Sequence, residues 1–169
     1  MIAKSIKGNS TEEIKDLLEQ SMADGFTPTL AIVFLSIKQD HKAICRVLEG
    51  ESIIIFGATT NGEFIDEQTQ GGSAAILLLD MKAEYFTVLF DEFPVKTIVK
   101  KSGRMAKNAL EQFAHPAFLI SCSHIETDAE QLLLGFEDVV GKQVNVYGGA
   151  AGDDYSFSEQ LVFNQLTGK

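Results

Sequence analysis

The chain has 169 residues, of which 45% are hydrophobic and 22% charged, a composition typical of a globular protein that can bury a core. Its net charge of −10, from 24 acidic against 14 basic residues, disfavours nucleic acid and anionic membrane surfaces as partners. Cys45 and Cys122 imply no disulfide framework, and the sequence has neither a signal-peptide pattern nor an apolar run of membrane-spanning length, so we expect a cytoplasmic protein.

The first half of the chain alternates between helix and strand patterns. Ser10 and Glu13 have the spacing of a capping box ahead of apolar residues at helical intervals, which predicts a helix. Residues 29–37 are apolar on both faces, which predicts a central strand covered on both sides. Asp40 is placed to cap a second helix, and residues 53–56 are predicted to form a second buried strand.

A hairpin is predicted in the middle of the chain, because residues 73–79 and 85–90 are strand-like runs on either side of a polar stretch. Ahead of it, Phe64 and Ile65 begin a short return strand, and residues 68–72 read as a polar loop. The later elements are predicted as helix 103–113, strand 117–122, helix 129–139 capped by Thr127 or Asp128, buried strand 144–147 and a last strand at 161–163.

The two halves show the same order of features: an apolar strand ending in serine, a helix, a strand, and a glycine-rich acidic turn. We interpret this as an internal pseudo-twofold, with repeats at about 10–90 and 103–165, in a single domain over residues 1–169. The predicted fold class is mixed α+β, with mixed sheet packed against helices. The four central strands, around Phe34, Ile54, Leu119 and Val146, should share one sheet or two tightly packed sheets, with both turns opening at the same side.

The glycine-rich turns are the candidate ligand-binding site, because small residues at strand ends let a ligand approach the backbone closely. Neither turn matches a phosphate-binding loop. The alternative is a tight turn with a solvated acidic tip. The candidate residues are Thr59, Thr60, Asn61, Gly62 and Glu63 in the first turn, and Gly148, Gly149, Ala151, Gly152, Asp153 and Asp154 in the second.

Catalysis and metal binding have weaker support. Ser36, Ser121 and Ser123 end strands without a nucleophile elbow, so a hydrolase, or an enzyme using the acidic turn as a base, is a disfavoured alternative. His41, His115 and His124 share no metal-ligand spacing with each other or with the cysteines. A single axial histidine can hold haem without a motif, so haem stays an alternative, although no histidine lies in a clearly apolar pattern.

Several of these motifs together resemble the N-terminal half of the FIST sensory domain. The resemblance covers roughly residues 29–164 and includes 31–36, 57–63, 102–103 and 161–164; its specific part is Gly148-Gly149-Ala150-Ala151-Gly152-Asp153-Asp154. It implies a ligand-sensing input module for small molecules such as amino acids. The family is often joined to histidine kinases, diguanylate cyclases or chemotaxis receptors, and some members bind haem as nitric oxide sensors.

The resemblance sets the remaining expectations. Full FIST proteins continue into a C-terminal half that this sequence lacks, so we expect either a piece of a longer protein or a short member that exposes an apolar patch and can form a homodimer. We expect a non-enzymatic sensor without a resident cofactor. Backbone N–H groups of the turns would hold a ligand carboxylate, and Asp153 or Asp154 would hold an ammonium group.

Overall fold

In the computed structural model, residues 1–65, 68–92, 95–123, 128–143 and 145–165 are described. Their contacts divide the chain into two units, residues 1–88 with 151–169 and residues 89–150. The elements in chain order are β1 (Ile2–Gly8), α1 (Thr11–Met22), β2 (Leu30–Ser36), α2 (His41–Gly50), β3 (Ile54–Thr60), β4 (Glu63–Ile65), β5 (Gln68–Gln70), β6 (Ala74–Asp80), α3 (Ile98–Gln112), β7 (Phe118–Cys122), α4 (Ala129–Val140), β8 (Val146–Ala150) and β9 (Val162–Phe163).

The first unit is built on a five-stranded mixed sheet in the order β1-β6-β2-β3-β9. β2 and β3 are parallel, in register from Leu30 opposite Ile54 to Ser36 opposite Thr60, and the other neighbouring strands are antiparallel. The predicted mixed α+β class is therefore confirmed, and β2 takes a central place in the sheet. The predicted cover on both sides of β2 is wrong for one face, because Phe34 is 38% exposed.

Two helices share a hydrophobic core with this sheet. α1 contributes Ile14 and Leu18, and α2 contributes Ile44 and Leu48, to a cluster that includes buried residues of β2, β3 and β6. Each fully buried side chain of this size stabilises the fold by about 1.5–3 kcal/mol. The capping predictions for this unit are confirmed. Ser10 Oγ accepts a hydrogen bond from Glu13 N at 3.2 Å, and Asp40 Oδ1 accepts one from Ala43 N at 2.9 Å.

The predicted hairpin of residues 73–79 and 85–90 is wrong. β6 pairs with β1 on one side and with β2 on the other, while residues 86–90 form no strand. The reason is burial: β6 is apolar on both faces and needs a central position with a neighbour at each edge. The predicted return strand at Phe64 and Ile65 is confirmed as β4, and its partner β5 lies in the stretch that the sequence predicted as a loop.

The second unit contains α3, β7, α4 and β8. β7 and β8 are parallel, in register from Phe118 opposite Val146 to Cys122 opposite Ala150. α3 and α4 approach closely at Gly135. A side chain there would not fit, because a Cβ would collide with Ser102 Oγ and the Val99 carbonyl oxygen. The unit's core joins residues of both helices to β7, with Phe118 and Phe136 edge to face at 5.2 Å.

One expectation about the second pair of strands is wrong. Leu119 is 42% exposed and Tyr147 is 62% exposed, so these strands are not covered on both sides. Side chains alternate across a strand, and the helices of this unit cover only the face that carries Phe118 and Ile120. Leu119 and Val146 lie in a different sheet from Phe34 and Ile54, so of the two predicted arrangements the one with a single sheet is wrong and the one with two tightly packed sheets stays a prediction. The single domain over residues 1–169 and its internal repeat stay predictions, and the predicted cap Thr127 and strand residue Val144 lie outside the described residues.

Candidate functional site

The first glycine-rich turn follows β3 and is anchored by a buried carboxylate. Glu63 is 1% exposed, and its two oxygens accept hydrogen bonds from Thr60 Oγ1 at 2.7 Å and from Ser73 N and Oγ at 3.0 and 3.1 Å. Thr59 is also buried, and its Oγ1 accepts a hydrogen bond from Leu161 N at 2.9 Å. Thr59 and Glu63 are thus engaged in bonds within the protein.

The second turn packs directly on the first. Thr59 and Thr60 carbonyl oxygens accept hydrogen bonds from Gly152 N at 2.7 Å and Asp154 N at 3.3 Å, which extends the backbone pairing past the end of β3. The amide oxygen of Asn61 accepts two more, from Asp153 N at 2.8 Å and Tyr155 N at 3.3 Å. The structure therefore brings residues 59–63 together with residues 152–154.

Gly152 is required by this contact. A Cβ at residue 152 would lie 2.6 Å from Asn61 Oδ1 and 2.8 Å from Asn61 N, and the second of these is a backbone atom that cannot rotate away. Ala151, just before it, is also buried. The small residues of the motif serve close approach between two segments of the protein itself.

Asp153 is a structural residue of this turn. It is 3% exposed, and its Oδ2 accepts a hydrogen bond from Ser158 N at 2.7 Å. Its backbone oxygen accepts bonds from Ser156 N at 3.0 Å and Ser156 Oγ at 2.7 Å. The alternative of a solvated acidic tip is therefore wrong for Asp153, because the side chain folds back to accept a hydrogen bond from the loop's own Ser158 N.

Asp154 holds the charged part of the site. Its Oδ2 accepts a hydrogen bond from the fully buried Ser36 Oγ at 2.5 Å and faces Lys38 Nζ at 3.6 Å. The Asp154 side chain is only 11% exposed, whereas that of Lys38 is 73% exposed. Sequence reasoning missed Lys38, whose signal was its position two residues after the serine that ends a central strand.

The backbone of this loop is strained. Asp154, Tyr155 and Phe157 have φ values of 54°, 60° and 53°, the left-handed region that costs residues with a side chain roughly 1 kcal/mol or more each. Tyr155 and Phe157 also expose most of their side-chain surface, at 72% and 79%. Such strain persists only where surrounding contacts fix it, here the hydrogen bonds that Asn61 and Asp153 accept.

The remaining candidates, Gly148 and Gly149, were predicted in a turn but lie in β8 of the other unit, opposite Ile120 and Ser121. Gly148 has a φ of 139°, and a Cβ there would collide with the Ile120 carbonyl oxygen, so glycine lets the two strands pair. Within this unit, a cleft of about 230 Å³ is lined in part by Gly148 and Gly149.

The histidines and cysteines within the described residues show no sign of activation. His41 lies 5.6 Å from the Phe163 ring, and burial, with a smaller contribution from Lys42, lowers its pKa. His115 is exposed, and His124 lies outside the described residues. Burial raises the pKa of the Cys45 thiol to about 12 and also raises that of Cys122. The described parts of the chain hold no group of three or more metal-binding side chains, and the haem alternative stays a prediction.

A comparison with protein families identifies the chain. The family model described as the FIST N domain matches residues 29–167. The chain belongs to the FIST N-domain family. FIST domains are sensory domains of signal transduction, so the recognition made from the motifs is confirmed. No curated protein and no solved structure matches the chain significantly.

The FIST match covers most of the chain but leaves out the first strand and the first helix. It begins at residue 29, so β1 and α1 precede it, yet both are integral to the first unit, since β1 pairs with β6 and α1 contributes to the core. None of the helices in the described ranges is both long and apolar enough to cross a bilayer.

Proposed function

We propose that this FIST domain is a non-enzymatic signal-input module that binds a small metabolite, with amino acids as the ligand class. The observation that carries the proposal is the Lys38–Asp154 pair at the ends of β2 and of the acidic turn. An α-amino acid presents the complementary pair, an ammonium group and a carboxylate on one carbon. Asp154 would take the ligand ammonium, and Lys38 would take the ligand carboxylate.

Several features support an exchange of this kind. The Asp154 carboxylate is held in place by Ser36 and is mostly shielded from water, so it is positioned before a ligand arrives. Lys38 is long and 73% exposed, and its Nζ lies 3.6 Å from Asp154 Oδ2, so water around the lysine weakens this ion pair; fully exposed pairs are worth only about 0–1 kcal/mol. A ligand that contacts both charges can therefore separate them at little cost.

The geometry changes one part of the earlier expectation. The N–H groups of residues 152–155 already donate to Thr59, Thr60 and Asn61, so they are not available for a ligand carboxylate. Lys38 takes that role in the proposal. Tyr155 and Phe157, exposed on the same loop, are the candidates for contact with the ligand's side chain.

A sensor rather than an enzyme is proposed because the site's polar groups are occupied. Ser36 is fully buried and its hydroxyl donates to Asp154, which does not suit a nucleophile. Glu63 and Asp153 accept bonds from the protein's own donors. An activity screen in which Asp153→Asn or Asp154→Asn abolished turnover would favour the enzymatic alternative instead.

The partners of this module are proposed from its family. They are a C-terminal FIST half or a signalling output such as a histidine kinase, a cyclase or a chemotaxis receptor. A second copy of the chain is a further proposed partner, and the mass of the protein in solution would show whether it forms a homodimer. A cytoplasmic setting is proposed because Cys45 and Cys122 are free thiols.

Thermal denaturation with a panel of amino acids tests the proposal. A ligand at 100 times its Kd stabilises the folded state by about 2.7 kcal/mol, which for a chain of this size raises Tm by about 5–10 °C. Analogues of the active compound that lack either the ammonium group or the carboxylate should give no shift, because each removes one of the two charges.

Matched variants locate the binding site. Lys38→Met should remove most of the ligand-induced shift, whereas Lys82→Met, which removes a lysine of equal exposure at 74%, should keep it. An unchanged shift in Lys38→Met would place the ligand elsewhere. A panel in which haem, but no amino acid, stabilised the protein would support the haem alternative.

A further inference from the structure

The exposed face of α3 carries an unusual concentration of positive charge for so acidic a protein. Five of the chain's 14 basic residues lie between Lys96 and Lys107, with no acidic residue among them, although the net charge of the whole chain is −10. We call the three exposed lysines Lys96, Lys100 and Lys107, with Arg104 between them, the cationic stripe.

The stripe lies on one side of the helix. Lys100, Arg104 and Lys107 follow one another at intervals of four and three residues, which places them on one face. Lys96 is one turn earlier, in the short 3-10 helix Val95–Thr97. Ile98, Ala106 and Ala109 occupy the opposite, buried face, so the stripe points away from the core of its unit.

Most of this charge is unused within the protein. Arg104 and the neighbouring Lys101 pair with Asp91 at 2.5 and 3.2 Å. In the described ranges, no ion pair involves Lys96, Lys100 or Lys107. All three are exposed, so they are open to a partner.

The stripe does not serve the stability of α3. The N-terminal end of a helix carries partial positive charge and favours acidic residues, each cation there being unfavourable by a few tenths of a kcal/mol or more. α1 and α4 follow this rule, with Glu12 and Glu13 in one first turn and Glu130 in the other. α3 has no acidic residue in its first turn and has Lys100 there instead. α2 also lacks one and has Lys42 there, but its cap is the acidic Asp40, whereas the cap of α3 is Thr97.

We infer that the cationic stripe is a docking surface for an acidic helical segment of a partner protein, a function that does not depend on the proposed ligand site. Carboxylates at intervals of three and four residues on a partner helix have the spacing of the stripe, about 4.5 and 6 Å along the axis. Opposite charges in this arrangement provide orientation and a fast association rate.

A short acidic segment fits the chain better than an extended polyanion does. Nucleic acid or an anionic membrane would extend beyond the stripe and meet acidic residues of the same unit, such as Glu111 one turn after Lys107. Such repulsion acts over a Debye length of about 8 Å at physiological ionic strength. A segment as long as the stripe meets the three lysines and Arg104, whose partner Asp91 is only 20% exposed.

The test uses the full chain and a fluorescently labelled alanine-based peptide with glutamates at i, i+4, i+8 and i+11, the spacing of the stripe, followed by fluorescence anisotropy. The stripe variant carries Lys96→Gln, Lys100→Gln and Lys107→Gln. The control variant carries Lys15→Gln, Lys42→Gln and Lys82→Gln, the same charge change at three exposed lysines of the other unit. The stripe variant should bind the peptide about tenfold more weakly, the sum of three exposed ion pairs, while the control stays within about twofold of the original chain.

Several outcomes would overturn the inference. These are equal binding by the two variants, equal binding of a peptide with glutamine in place of glutamate, or no binding by the original chain. Tighter binding of duplex DNA or of phosphatidylserine vesicles, lost in the stripe variant, would assign the stripe to a polyanion instead. Circular dichroism and Tm check folding, and the stripe variant should melt no lower than the original chain because cations leave the positive end of α3.

Discussion

Replacing Gly152 by alanine is expected to destabilise the protein through a collision with the side chain and backbone of Asn61. The added methyl group would lie 2.6 Å from Asn61 Oδ1, 2.7 Å from Asn61 Cγ and 2.8 Å from Asn61 N. The side-chain amide can rotate, but doing so gives up its bonds to Asp153 N and Tyr155 N, and the backbone nitrogen cannot move without bending the turn. Overpacking of this kind costs about 1–3 kcal/mol.

Two losses add to the collision. The 2.7 Å bond from Gly152 N to the Thr59 carbonyl oxygen would lengthen as the loop moves away. Asp153 and Asp154 would move with it, which also disturbs the Lys38–Asp154 pair. We therefore expect the free energy of unfolding to fall by about 2–4 kcal/mol in total, a decrease in Tm of roughly 5–15 °C for a domain of this length.

The matched control is Gly149→Ala, in the same glycine-rich motif. Nothing lies within 4 Å of a Cβ at residue 149, so this change should be neutral or stabilise by up to about 1 kcal/mol. Urea denaturation followed by circular dichroism measures both variants, together with a thermal melt. If Gly152→Ala proved as stable as Gly149→Ala, the packing of the acidic turn on the end of β3 described above would be refuted.

The remaining predictions concern titratable side chains. Asp153→Asn should cost about 1–3 kcal/mol in urea denaturation, because a buried acceptor of Ser158 N is weakened, and a loss near zero would mean that the side chain is solvated. His41 has its pKa lowered below 6.5 by burial, so the unfolded chain binds the proton more readily. Its contribution to stability is then present above about pH 6.5 and is lost as the pH falls through that value toward the folded pKa. A His41→Gln variant should lose less stability than the original chain between pH 7 and pH 5; equal losses would exclude His41 as the cause. Cys45, with its pKa raised to about 12, should react with iodoacetamide at pH 8 only after unfolding, and rapid modification of the native chain would contradict its burial.

The features that the sequence determined by itself are local or depend on one segment's hydrophobic pattern. Ser10 and Asp40 are helix caps because a short side chain with an oxygen, placed just before a helix, can accept a hydrogen bond from a free N–H group of the first turn. β2 takes the centre of a sheet because it is apolar on both faces, a property that can be read from residues 30–36 alone. The FIST resemblance, carried mainly by residues 148–154, belongs to the same class of information.

Pairing between distant segments was decided only by the tertiary structure. The strand-like runs before and after residues 80–84 predicted a hairpin, but β1 takes that place next to β6, since strand partners are chosen by the burial of whole faces rather than by proximity in the chain. No pattern within residues 2–8 predicts that β1 pairs with β6.

The role of the acidic turn was decided in the same way. Asp153 and Asp154 look alike in the sequence, yet one is buried against Ser158 N and the other is held between Ser36 and Lys38. Whether a carboxylate is solvated or satisfied internally depends on which donors the fold brings within hydrogen-bonding distance. Ser36 lies 118 residues from Asp154 in the chain, so only the folded protein could make that contact visible.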